Sequence, residues 1–600
     1  MFKKYTPSLL ALLLCLSLFG CTKLPSARRA DNTKQNNPYT MPAEAYLALA
    51  QNQPEGEQQN MRIMAAGRYI QDTQYQQAES ILNQIAHLTE TQLAEKYILL
   101  ATIKMTQGQP QAAVSYLAMA RNVNHLPHYY QREYHESLAS AYEETNNFTD
   151  ATNERIKLNY LLEDNESQVA NWRKLWLDLT RLPASELNTL AIESDENREL
   201  VGWVQLALIA RQPTSKGQTL LMHIETWQQQ YPGHPANNLL PLPLTSAEAL
   251  LNGTPHHIAL LLPMTGPLAG PGTAVRDGVM AGYSAAGASS LVHIQTYDTS
   301  GVDVSKLYEQ AIADGADYVI GPLTKADVST IAKMDHPVPT IFLNDTEGGG
   351  IAPGNAYLFG LFPTNEARQV AYRAHKKGLH QALIIAPVGS WGNDIVSAFE
   401  AEWHAFGGVV ADSFRYDDQT DLNAGLRSLL RVSEREAKQK QLHTNASSKA
   451  KSMYQKRRQD FDMVFLVGYP SIARQIVPLL RYYFAGNIPV YATSSVYSGH
   501  LNALQDKDLD GVVFCDISWV FNHQLPNKNW PESYNSYSRL YALGLDSYAL
   551  GTGLNRLIIF PAITLEDTEV VYLNRAHQIA RILAWGQFRG GVAEITSSTP

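Results

Sequence analysis

The chain is poor in cysteine, in net positive charge and in long apolar runs. Its 600 residues include 3 cysteines, too few for a disulfide framework or a cysteine-rich zinc module. Lys+Arg number 48 against 57 Asp+Glu, a formal net charge of −9. That balance argues against sequence-independent nucleic-acid binding, which runs on basic surface. Beyond the N-terminus no apolar run approaches the roughly 18–20 residues that span a bilayer. Catalytic signatures are missing too: no His-Glu-x-x-His, no Gly-x-Ser-x-Gly, no phosphate loop and no cysteine pair for a metal. No catalytic residue, metal or cofactor is therefore expected. What is present is ordinary globular material, 45% hydrophobic and 18% charged, which excludes collagen, coiled coil and global disorder. At this length it needs several cores.

Isolated candidates for chemistry read as structural. Gly270-Pro271-Gly272 lacks the third glycine of a nucleotide fingerprint and reads as a turn. His256-His257 is an adjacent pair at a domain edge, and neighbouring strand residues face opposite ways. His135-Glu136 lacks a second histidine, and Cys515, inside Val512-Val513-Phe514-Cys515, reads as a small core hydrophobe. Asp417-Asp418 and Asp506, Asp508 and Asp510 read as turn and surface carboxylates.

The N-terminus has the form of a secretory signal over residues 1–20. Lys3 and Lys4 precede an apolar stretch from Leu9 to Phe19, within the usual range of about 7–15 residues. Leu18-Phe19-Gly20-Cys21 resembles a bacterial lipobox, so Cys21 is expected to carry lipid and become the mature N-terminus. Thr22 after the cysteine favours the outer membrane by resemblance to sorted lipoproteins. Two or more acyl chains, at roughly 0.8 kcal/mol per buried CH₂, make a stable anchor. Residues 21–40 are polar and are expected to form a tether, reaching at most ~65 Å if fully extended.

Residues 41–231 follow a helical pattern. Tyr75-Gln76-Gln77-Ala78, Gln109-Pro110-Gln111-Ala112 and Phe148-Thr149-Asp150-Ala151 recur at intervals of 34 and 39 positions, near the tetratricopeptide period. The expectation is a TPR-like helical solenoid, with Trp172, Trp176, Trp203 and Trp227 as core side chains. Residues 232–256 hold five prolines and are expected to form a linker of limited swing.

From residue 257 to 600 the pattern changes. Short apolar runs such as Ile258–Leu262, Tyr318–Ile320, Ala382–Ala386 and Met463–Val467 alternate with amphipathic helices. That predicts an α/β architecture, doubly wound and bilobed, with the lobes joined near Leu361–Asn365. Loops at strand carboxyl ends would line the cleft, which nominates Thr265, Gly266, Thr324, Asn344, Ser390 and Ser471.

Here the residues resemble a known fold. Ile258-Ala259-Leu260-Leu261-Leu262-Pro263-Met264-Thr265-Gly266-Pro267-Leu268 looks like the first strand and loop of type I periplasmic binding proteins, and Asp314–Leu323 resembles their next landmark. A lipobox, a helical repeat region and this bilobed fold, ending in Leu583-Ala584-Trp585-Gly586-Gln587-Phe588, are together similar to the LpoA family. That resemblance implies an outer-membrane lipoprotein facing the periplasm. Its partner would be a bifunctional class A penicillin-binding protein, met through the peptidoglycan, whose transpeptidase it stimulates without chemistry of its own. Thr324-Lys325-Ala326-Asp327 and Phe560-Pro561-Ala562-Ile563-Thr564 depart from the transporter-type pattern. The competing reading is a lipoprotein receptor for an amino acid or similar solute.

Residues 433–460 are an insertion with eight basic and three acidic side chains. They read either as a solvated loop or as an electrostatic handle for an acidic partner surface or an anionic envelope polymer.

Overall fold

A computed structural model describes residues 37–194, 196–212, 217–241, 254–287, 292–348, 351, 354–432, 457–523, 525, 532–565 and 569–597. From Ala43 to Gln230 the elements among the described residues are helices and one short 3₁₀ turn. Helices Tyr75–Gln84, Pro110–Met119 and Phe148–Asn159 each follow a longer one. The fourth residue of each is a fully buried alanine: Ala78, Ala113 and Ala151. The recurring small residue is therefore Ala113, and Ala112 stands only half-buried beside it. Pro110 is the first helical residue, where its missing N–H costs nothing, and that start moves the register by one.

The chain forms two compact units. One holds the residues up to Ile103 with Ser115–Tyr134; the other holds Lys104–Val114 and everything from His135 onward. In the first, Tyr39 lies over Gly67, where any β-carbon would strike its ring, and its hydroxyl donates to that of Tyr130 at 3.1 Å.

The second unit contains the sheets. Strands β1 (His257–Leu262), β2 (His293–Asp298), β3 (Tyr318–Ile320), β4 (Thr340–Phe342) and β5 (Ala356–Leu358) form a five-stranded sheet in the order β2-β1-β3-β4-β5. Every pairing in it is parallel. Strands β1, β3, β4 and β5 are covered on both faces, hence their continuous apolar runs. A second parallel series, β6 (Gln381–Pro387), β7 (Val409–Tyr416), β8 (Met463–Leu466), β9 (Val490–Ala492) and β10 (Val513–Asp516), is ordered β7-β6-β8-β9-β10. Three antiparallel strands, β11 (Ile563–Leu565), β12 (Glu569–Leu573) and β13 (Ile579–Ile582), make a small third sheet. Strands β14 (Ala584–Arg589) and β15 (Val592–Ser597) then extend the second sheet antiparallel beyond β10. The architecture is α followed by bilobed α/β, as the sequence implies. Its C-terminal antiparallel strands were not among the expected elements.

Two helices packed on the first sheet cross in close contact. Gly278 in Ala269–Ala285 and Gly544 in Tyr537–Ile559 let the backbones cross in contact: an added β-carbon at Gly278 would lie 1.9 Å from the Tyr541 carbonyl oxygen. Helix Ala269–Ala285 also absorbs Gly270-Pro271-Gly272, which forms its first turn rather than a free turn.

Helices downstream of His135 pack on the α/β part through side chains far from the proline-rich segment. Trp176 donates from Nε1 to the Ala562 carbonyl at 2.9 Å and stacks on Phe560 with centroids 5.4 Å apart. Arg556 donates to the Ala210 carbonyl at 3.1 Å, and Thr564 donates to the Thr180 carbonyl. Trp172, Trp176, Trp203 and Trp227 are all buried. The proline-rich segment itself begins with a packed 3₁₀ turn, Pro235–Leu239, whose Ala236 has no exposed surface.

Candidate functional site

Cys21 and residues 433–456 lie outside the described residues. Among the described residues no helix is long and apolar enough to cross a membrane, and no group of three or more His, Cys, Asp or Glu is arranged to hold a metal ion.

The six cleft candidates sit at strand carboxyl ends, yet most of their polar atoms are already engaged. Asp298 at the end of β2 accepts from the Met264 N–H and from Thr265 Oγ1, both at 2.8 Å. Thr265 thus closes its own loop, and Gly266 supplies the positive φ of 68° that the turn requires. Thr324 caps helix Lys325–Ile331, accepting from the Asp327 N–H and donating to its carboxylate at 2.7 Å. Asn344 donates to the Leu323 carbonyl at 3.0 Å. Ser390 opens helix Ser390–Ala405 at an exposed position. Ser471 donates to Glu532 at 2.8 Å. Thr324 and Asn344 share a cavity of about 250 Å³ with Leu323, Leu343, Leu540 and Leu543.

A larger cavity, about 420 Å³, has none of the six on its wall. Trp391, Tyr469, Ser494, His500, Gln505 and Glu532 line it, with Glu366 and Arg539 below. Trp391 follows the end of β6 and Tyr469 the end of β8, neighbouring strands in the sheet. Their rings lie parallel, 6° apart in tilt and 4.7 Å between centroids.

Behind the cavity is a buried ionic group. Arg539 reaches Asp516 at 2.6 Å and donates to the carbonyls of Ser494 and Tyr497, each at 3.0 Å. Glu366, in the first turn of Pro363–Lys376, accepts from the Ser494 N–H at 2.7 Å and from its hydroxyl at 2.9 Å. Burial, aided by the Asp516 charge, pushes the Glu366 carboxyl up to about 7. Glu569, on β12, is pushed up to about 8 by burial and by Asp546. Neither glutamate stood out in the sequence. Their partners are far away along the chain, and no local pattern marks them.

Two expectations need correction. Asp506 is not a surface carboxylate: it is buried, salt-bridged to Arg474 at 2.7 Å, and burial raises its pKa despite that partner. Arg457 and Arg458 do not belong to a solvated basic loop. Arg457 donates to the Phe484 carbonyl at 2.8 Å. Arg458, its side chain 1% exposed, pairs with Asp460 and Asp412, each at 2.7 Å. They lead into β8 and anchor its start.

The other isolated candidates are structural. His135 meets Glu154 at 2.6 Å, His257 packs edge-on to His293, and the buried Cys515 thiol is pushed up by desolvation. Asp417 closes a turn on Thr420.

Residues 35–591 match the family described as "LppC putative lipoprotein". Among curated proteins the chain is similar to a "Penicillin-binding protein activator LpoA" of Vibrio cholerae, 27% identical over 600 residues and covering 98% of both chains. Its similarity to the activator of the same name from Photobacterium profundum is 26% over 557 residues, 90% of each chain. Among solved structures it is similar to Haemophilus influenzae LpoA, with 23% identity, a TM-score of 0.48, and coverage of 93% of this chain and 98% of that one.

Proposed function

The chain belongs to the LppC lipoprotein family, and from that premise we propose that it activates a penicillin-binding protein. The observation that carries this reading is the length of the match: relatives bearing the activator name align over 98% of this chain and 98% of their own. Both the helical and the α/β parts are therefore included. The partner in this reading is a bifunctional class A enzyme, and the effect is stimulation of its transpeptidase. Stimulation requires only that the chain bind the active conformation of the synthase more tightly than the resting one. A partner-binding surface suffices.

The same proposal places the protein on the outer membrane, held by lipid on Cys21 and reaching into the periplasm towards the peptidoglycan. The α/β domain, from His257 onward, is the part assigned to the synthase. The proposed domain limits are 1–20 for the signal, 21–40 for the tether, whose end at Tyr39 packs into the helical region, 41–231 for the helical region, 232–256 for the proline-rich link and 257–600 for the bilobed domain.

Purified chain added to a class A synthase should bind it and raise peptide cross-linking in a transpeptidase assay. Absence of binding would remove the function. Mass spectrometry of membrane-extracted protein checks the anchor: an unmodified Cys21, or retention of residues 1–20, contradicts it.

A further inference from the structure

The synthase reading asks for a surface and leaves the 420 Å³ cavity unused. One wall of that cavity is aromatic. Trp391, on helix Ser390–Ala405, and Tyr469, at the start of Pro470–Tyr482, stack on one another with centroids 4.7 Å apart, which leaves each ring one outer face. The facing wall, from Ser494 to Gln505, carries hydroxyls, amides and an imidazole. Burial, with Arg539 nearby, keeps His500 towards its neutral form.

The two guanidinium groups on the wall are matched inside the protein. Asp516 closes Arg539 at 2.6 Å, and Asp506 closes Arg474 at 2.7 Å. Glu532 accepts from Ser471, and both Glu366 oxygens accept from Ser494. The carboxylate of an amino acid, or a phosphate, needs an unmatched cation, which these closed arginine pairs do not offer. A purely apolar ligand would leave the polar wall unpaired.

A sugar ring has the complementary make-up. It presents a C–H face to an aromatic wall and hydroxyls around its rim to hydroxyl and amide partners. The volume lies in the lower part of the roughly 300–1,000 Å³ range of small-molecule sites, enough for one or two rings. We propose that the cavity between the Trp391–Tyr469 wall and the Ser494–Gln505 segment binds a neutral saccharide of one or two rings. This site stands apart from the synthase reading, since saccharide binding and stimulation are measured separately.

Calorimetric titration of the purified full chain with diacetylchitobiose, cellobiose, leucine and glutamate tests it. At least one disaccharide should bind saturably at one site, and the two amino acids should give no heat. Trp391→Ala should weaken saccharide binding about tenfold, and Trp391→Phe less, because a ring remains. Gln505 is exposed, so Gln505→Ala leaves folding intact and should weaken binding by about threefold. That second variant decides the matter if Trp391→Ala does not fold. No heat with either disaccharide overturns the proposal, as does saturable amino-acid binding or saccharide binding unmoved by the folded variants.

Discussion

Trp176→Ala tests whether the helices downstream of His135 and the α/β part stand or fall together. The indole is almost wholly buried, lies on Phe560 with rings tilted by 14°, and satisfies the Ala562 carbonyl. Truncating a core tryptophan to alanine costs about 3–5 kcal/mol through lost burial and the cavity left behind. The orphaned carbonyl adds about 1–3 kcal/mol. Because part of that second cost overlaps the first, a loss of about 4–6 kcal/mol is expected. Trp176→Phe keeps a ring over Phe560 and loses only the donor and some volume, so about 1–3 kcal/mol is expected. Urea unfolding supplies the two magnitudes, and hydrogen exchange read by mass spectrometry supplies the location. In the alanine variant, amide exchange should rise both in helix Asn165–Arg181 and in strand β11, because one side chain serves both. A loss under about 1 kcal/mol would refute the reasoning, and so would faster exchange in the helix while β11 stays protected.

Three further outcomes follow from the buried groups. Glu366 protonates at about 7 in the folded chain against its ordinary 4.5, so folding takes up a proton between those values and stability falls as pH rises through that window. Glu366→Gln should therefore gain on the parent by up to about 3 kcal/mol in urea unfolding between pH 4.5 and pH 8, and a constant difference would contradict the assignment. Gly278→Ala should abolish soluble folded protein or cost several kcal/mol, since the new carbon meets backbone of Tyr541 that cannot step aside; near-parental circular dichroism melting would contradict the tight crossing. Glu144 pairs with Arg373 at 3.4 Å and Lys377 at 3.1 Å, both largely buried, so Glu144→Ala should cost about 3 kcal/mol, with denaturant midpoints as the check.

What was legible followed from local pattern. Tyr318–Ile320 is both the expected span and the observed one, and Ile258–Leu262 and Ala382–Ala386 fall inside β1 and β6, because buried parallel strands write continuous apolar runs. The cleft candidates lie in loops after strand ends, and several of them also bond within their own loop or helix cap. A hydroxyl at a strand end can face a cleft or cap its own loop, and a donor or acceptor two or three residues away decides which. For Thr324 that signal was present as Thr-x-x-Asp, the pattern of a helix N-terminus. For Glu366, Asp516 and Arg539 there was no such signal, since 150 positions separate the first from the second. Arg457 and Arg458 misled for the opposite reason: they continue a basic run in sequence, while their place at the mouth of β8 buries them.

The same long-range charges explain why the larger cavity is already shaped. Periplasmic receptors of this architecture complete a site by closing one lobe on the other, which requires crossovers free to bend. Here the crossover at Gly360 is held by Arg581, which donates to the Gly360 carbonyl at 2.9 Å, pairs with Asp546 at 3.0 Å and lies over the Phe359 ring at 3.8 Å. Asn365 and Gln369 add hydrogen bonds to Gln578 and to the Arg581 carbonyl. Bending that crossover would strip a buried guanidinium of its partners, at a cost of about 3–5 kcal/mol for the broken pair alone. The residues lining the 420 Å³ cavity come from loops of the second sheet, from the start of helix Pro363–Lys376 and from the start of helix Tyr537–Ile559, which packs against Ala269–Ala285 of the first lobe. A ligand there is met by loops of the second sheet and by the start of a helix packed on the first lobe, both held in place by these buried pairs.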